Sequence, residues 1–79
     1  MFVIWAVGKD FFGHEVARMG VCDLKTKKGA ERRAKELASS VREFGAMAVP
    51  NISALTDAYD EIGRKMVSIT NATPTILLD

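Results

Sequence analysis

The order of apolar patterns along these 79 residues predicts an α+β fold, a two-layer sandwich in which both helices cover one face of a mixed three- or four-stranded sheet. Three observations predict it. A continuous apolar run, "FVIWAVG", opens the chain, and a loosely alternating run follows it after a short gap. Two later segments carry apolar residues at spacings of three and four. Short apolar pieces, "AMAVP" and "TILL", lie between and after those segments.

Residues 2–8 have no polar face, which suits a strand buried on both sides or a central strand. From Glu15 to Leu24 the pattern alternates loosely, with Ala17, Met19 and Val21 on one side and Val16, Arg18, Gly20, Cys22 and Leu24 on the other. The two runs read as a β-hairpin with "KDFFGH" as its loop. Next, Ala30, Ala34, Leu37, Val41 and Phe44 recur on one helical face. Thr26 is the expected N-cap of that helix, and Gly45 its C-terminal stop. "AMAVP" (46–50) is a strand candidate closed by Pro50. Asn51 or Ser53 can cap a second helix with the stripe Leu55, Tyr59, Ile62, Met66 and Ile69. "NATP" ends it, and "TILL" (75–78) reads as a last strand that tolerates Pro74 at its start. The expected order is β-β-α-β-α-β, or β-β-α-α-β if 46–50 is a loop. The core expected from this reading joins Leu37, Val41, Phe44, Leu55, Tyr59, Ile62 and Met66 to Val3, Trp5 and Val21.

This length makes one small domain, residues 1–79, of marginal stability. Apolar residues at 48% and charged residues at 27% are globular usage and exclude disorder. One cysteine excludes an internal disulfide, and the short apolar start lacks the flanks of a leader and the length of a membrane span. These features lead us to expect a cytoplasmic protein, monomer or homodimer, with no membrane contact.

An enzyme is not expected. Cys22 and His14 lie on one expected strand about 26 Å apart, beyond the reach of a nucleophile and its base. Cys22 reads as a small buried hydrophobe and His14 as a solvated loop residue. No residue set makes a catalytic or metal site, no glycine pattern makes a phosphate loop, and no cofactor is expected. Asp60–Arg64 and Glu61–Lys65 read as stabilising helix pairs.

Two surfaces remain. The net charge is only +1, but residues 25–43 hold seven cations against three acids, while the rest holds four against seven. Lys25, Lys27 and Lys28 crowd a helix N-terminus, where cations oppose the dipole and the free N–H groups favour an anion. With Arg32, Lys35 and Arg42 they form the expected anion- or nucleic-acid-binding face. The bland reading is a solvated face in which Glu31 pairs Lys27 and Lys35, and Arg32 pairs Glu36. "TKKGAERRAKELA" (26–38) resembles the last helix of double-stranded-RNA-binding domains, which implies phosphate contact by its first lysines; the helix that precedes the hairpin in that family has no counterpart here. The second surface is the loop. Strand alternation predicts that one of Phe11 and Phe12 turns into the core and the other, Phe12, is offered beside Lys9, Asp10 and His14.

The resulting expectation is a small protein-binding module that occupies a surface on a larger protein partner. Its size fits an accessory inhibitor of a host machine, of the phage or mobile-element type. The alternatives are a nucleic-acid-contacting module using residues 25–42, and a self-associating structural domain.

Overall fold

The computed structural model describes residues 1–37, 40–71, 73 and 75–77. The chain runs β1 (Phe2–Lys9), β2 (Glu15–Cys22), α1 (Lys27–Glu36), β3 (Ser40–Ala48), a 3₁₀ turn (Ile52–Ala54), α2 (Leu55–Thr70) and β4 (Thr75–Leu77). It is an α+β architecture with the strand order β3-β1-β2-β4. β1 pairs antiparallel with β2 and β3, and β2 pairs parallel with β4. The continuous apolar run has become a central strand, with Val3 to Gly8 buried without a break.

Local signals placed several boundaries. Thr26 caps α1, its hydroxyl accepting from Gly29 N at 3.2 Å. Asn51 Oδ1 accepts from Ala54 N at 3.1 Å and caps the 3₁₀ turn that leads into α2. Asn71 ends α2 in the left-handed region at φ 55°, with its N–H on Val67 O at 2.8 Å. The expected last strand is present over 75–77; Pro74 and residue 78 lie outside the described residues.

The first helix is shorter than its apolar spacing predicts. It stops at Glu36, and Val41 and Phe44 belong to β3 instead. Phe44 is 37% exposed and Val41 and Val21 are half-buried, so none of the three is in the deep core. β3 takes in residues 46–48 of the expected 46–50 strand, leaves out Val49 and Pro50, and extends backward along β1 to Ser40. Its pairing with β1 runs the full length of that strand, broken by one bulge at Arg42, since Val7 faces Glu43 and Gly8 faces Val41. Gly45 is therefore not a helix stop. It lies opposite Trp5, and an added Cβ there would be 2.7 Å from Trp5 Cε2 and nearer still to Cζ2 and Cη2. Only glycine leaves room for the indole.

The helices do not share a face. Val3, Trp5 and Val7 of β1 pack with Ala17 and Met19 of β2 and with Ala58, Ile62 and Met66 of α2. Ile4, on the opposite side of β1, packs with Cys22 and with Ala30 and Ala34 of α1. Alternate side chains of one strand point to opposite faces, so α1 and α2 flank the sheet from both sides. The expected two-layer sandwich is replaced by helix, sheet, helix. The topology supplies the reason. β2, β3 and β4 are mutually parallel. The crossover β2–α1–β3 passes over β1 in one direction, and β3–α2–β4 returns in the other. Parallel crossovers are almost always right-handed, so a reversal of direction puts the helices on opposite faces.

Candidate functional site

The hairpin tip is the first candidate. The ladder ends at Lys9↔Glu15, so residues 10–14 lie outside it. Asp10 organises them. Its backbone O accepts from Gly13 N at 3.0 Å and its N–H donates to His14 O at 2.8 Å. Its Oδ1 accepts from Phe12 N at 2.9 Å and from His14 N at 2.8 Å. Gly13 takes φ +83°, a region that L side chains rarely adopt, with open space around it. Asp at the first and Gly at the fourth position is a β-turn pattern, which leaves the two phenylalanines at the corner.

Both rings are consequently in solvent, Phe11 94% and Phe12 82% exposed. The expectation that one ring anchors the core is corrected: turn dihedrals, not strand pleat, direct side chains beyond the last ladder pair. The rings meet edge to face, 6.2 Å apart at 80°. His14 extends the row, 6.4 Å from Phe12, and its Nδ1 is 3.6 Å from Asp10 Oδ2. Lys9 and Asp10 stand at the base of the same tip.

The basic segment is the second candidate. Lys25, Lys27, Lys28, Arg32 and Lys35 are all exposed on or beside α1. Arg42 is corrected: it sits at the bulge of β3, where its Nη1 meets Glu15 Oε1 at 2.8 Å, and does not extend the helix face. Lys35 Nζ lies 6.0 Å from the centre of the Phe44 ring. Among the described residues the ion pairs that would neutralise the helix do not form, and α1 has only Arg33–Glu36, at 4.0 Å. Among the described residues Lys25, Lys27, Lys28 and Arg32 have no ion-pair partner. On α2 the expected partners also change, because Lys65 reaches across to Glu43 at 2.9 Å rather than to Glu61.

The two candidates occupy opposite ends of α1. Its C-terminal end, Glu36 and Leu37, borders a hollow shared with Phe11, while its N-terminus follows the far end of β2. Ten helical residues separate them by roughly 15 Å.

Cys22 is buried, as expected of a small hydrophobe. Among the described residues no group of three or more His, Cys, Asp or Glu could hold a metal ion, and no helix is long and apolar enough to cross a membrane. No protein-family model, curated protein or solved structure matches the chain.

Proposed function

We propose that this protein is a non-enzymatic binding module that docks on a larger protein through Phe11 and Phe12. The observation that carries the reading is the nearly complete exposure of two adjacent rings on a turn held by four hydrogen bonds. Exposed aromatics on a preorganised loop suit the anchors of a protein interface, because little conformational freedom remains to be lost on binding. The module would act by covering a surface of its partner, as an accessory inhibitor of a host machine does. The test compares the parent with Phe11→Ala and Phe12→Ala. Each variant should melt like the parent. Each should cost about 2 kcal/mol of binding to a partner captured by the parent, roughly thirtyfold in affinity. Equal capture by the parent and the double variant refutes the reading.

A second reading is supported by the unpaired cations. Lys25, Lys27, Lys28 and Arg32 stand together at a helix start with no ion-pair partner among the described residues, which suits contact with phosphate groups of a nucleic acid. Changing Lys27, Lys28 and Arg32 together to Gln should weaken binding across all sequences. It should also flatten the salt slope by about 0.9 for each lost duplex contact. No binding of the parent to duplex or single strands at low salt removes this reading.

A further inference from the structure

We propose that two copies of this chain associate through the outer edge of β3, pairing antiparallel about a two-fold axis at Ala46 and joining their four-stranded sheets into one. The inference goes beyond the docking role of the tip and rests on different residues.

β3 is an outer strand of the sheet. Two backbone bonds fix which of its groups face outward. Asp10 N–H donates to His14 O at 2.8 Å, and Val49 N–H donates to Met1 O at 2.9 Å. The first pair continues the register of β1 with β2, the second that of β1 with β3. Bonded pairs alternate along an antiparallel ladder, so even-numbered residues of β1 bond to β2 and odd-numbered ones to β3. Glu43, Gly45 and Met47, opposite Val7, Trp5 and Val3, therefore turn their backbone groups inward. Phe44, Ala46 and Ala48 turn theirs outward, where the strand order ends. Free edges are usually blunted by Pro, Lys or a bulge. Here the bulge at Arg42 and the ring of Pro50 blunt the two ends. The stretch between them, "EFGAMAV", has no such device, and its one charge, Glu43, is held by Lys65 at 2.9 Å.

That stretch is complementary to itself, which selects a second copy as the occupant. Arg42 and Pro50 are equally distant in sequence from Ala46. Antiparallel pairing about Ala46 sets outward-facing residues against one another: Ala46 meets Ala46, and Phe44 meets Ala48. Between them Gly45 meets Met47. Each large side chain then lies opposite a small one, and Phe44, 37% exposed in one chain, gains cover. An axis at Gly45 would draw the bulge into the ladder, and one at Met47 would draw in Pro50. Such a two-fold axis stands perpendicular to the sheet, so α1 of both copies covers the same face. α1 lies mainly over β1 and β3. Its axis is thus about two strand spacings from that of the second copy, roughly 10 Å, an ordinary distance for packed helices. Lys35 Nζ, 6.0 Å from the Phe44 ring centre, comes to stand beside Ala48 of the second copy. The two hairpin tips lie at opposite ends of the joined sheet, clear of the seam.

The test is sedimentation equilibrium of the full chain over a concentration series, with a thermal melt of every variant. The parent should reach twice the 8.6 kDa of one chain. Ala46→Pro removes an outward N–H that the chain's own ladder does not use. It should weaken dimerisation by about tenfold or more, since symmetry removes two bonds. Ala48 is exposed, so its variants should fold. Ala48→Lys sets a cation beside Lys35 of the second copy and should weaken association, whereas Ala48→Glu should keep or strengthen it. The Phe11→Ala/Phe12→Ala double variant should dimerise like the parent. A parent that keeps the mass of one chain up to about 1 mM overturns the inference. So does a dimer that the tip double variant abolishes, one that a folded Ala46→Pro leaves unchanged, or one in which both Ala48 variants behave alike. If Ala46→Pro fails to fold, the opposite responses of the Ala48 variants decide the matter.

Discussion

Adding one methyl group at Gly45 should destabilise the whole domain, and the sign of the effect is the informative part. In a strand, glycine is ordinarily worse than alanine by roughly 0.5–1 kcal/mol, so Gly45→Ala would stabilise an unhindered position. Here the new Cβ would lie 2.7 Å from Trp5 Cε2 and closer still to two further ring carbons. Trp5 cannot simply withdraw, because it is only 9% exposed and packs in the cluster that α2 closes with Ile62 and Met66. Relief requires either a new indole rotamer inside a packed core or a shift of β3 away from β1. Overpacking of this kind costs about 1–3 kcal/mol. A domain of this length has roughly 4–12 kcal/mol in total. Each kilocalorie lowers the melting temperature by about 4–8 °C at this size. The assay is paired thermal denaturation and intrinsic fluorescence, since Trp5 is the only tryptophan. The variant should melt well below the parent, with its emission shifted toward that of a more hydrated indole. Trp5→Phe removes the distal ring atoms that meet the methyl. In that background the same Gly45→Ala change should be close to neutral, giving a coupling of opposite sign to the single penalty. A Gly45→Ala protein that melts at or above the parent temperature refutes the account of why glycine stands opposite the indole.

Two further expectations concern the core and the tip. Ile62, 1% exposed beneath α2, should cost about 2–5 kcal/mol on change to Ala, whereas Leu37→Ala, half-buried at the end of α1, should cost clearly less; equal losses in chemical denaturation would contradict the burial assigned to them. Asp10→Ala removes the side-chain acceptor of two tip amides, so the Phe12 and His14 N–H groups should exchange faster with solvent while stability falls by only about 0.5–1.5 kcal/mol. Unchanged exchange at those two amides would show that the turn is held by its backbone bonds alone.

The parts of the fold that were legible in the sequence are those that local chemistry decides. Thr26 and Asn51 cap because their side chains reach an amide a few residues on. The hairpin forms because two apolar runs flank a turn. What was not legible depended on partners distant in sequence. The spacing Ala30, Ala34, Leu37, Val41, Phe44 continues a helical period, yet β1 has an open edge along its whole length, and residues 40–48 satisfy it with a ladder. Such tertiary pairing overrides periodicity in a short segment. A strand apolar on both faces, as "FVIWAV" is, requires cover on both faces, and two helices on one side would leave Ile4 without it. That constraint was present in residues 2–7 and is stronger than the tendency to place both helices together.

The candidate site was legible as an anomaly, but its geometry was not, and the reason bears on what the tip is for. Strand alternation governs direction only as far as the Lys9↔Glu15 pair, and beyond it the pleat no longer controls where a side chain points. The "DFFG" segment already contained the better rule, since Asp10 and Gly13 set the corner and leave Phe11 and Phe12 outside it. Neither ring packs in either core cluster, so the fold gains nothing from them, and Ser or Asn at the same corner would suit the turn and the solvent better. Two apolar rings exposed on a rigid loop favour unwanted association wherever they find no partner. Folding stability therefore does not account for the phenylalanines. Of the two candidate surfaces, the tip is the one whose composition runs against the chain's own structural interest. The lysines at the opposite end of α1 would be tolerated on any solvated helix, and that difference is why the protein-docking reading stands ahead of the phosphate-binding one.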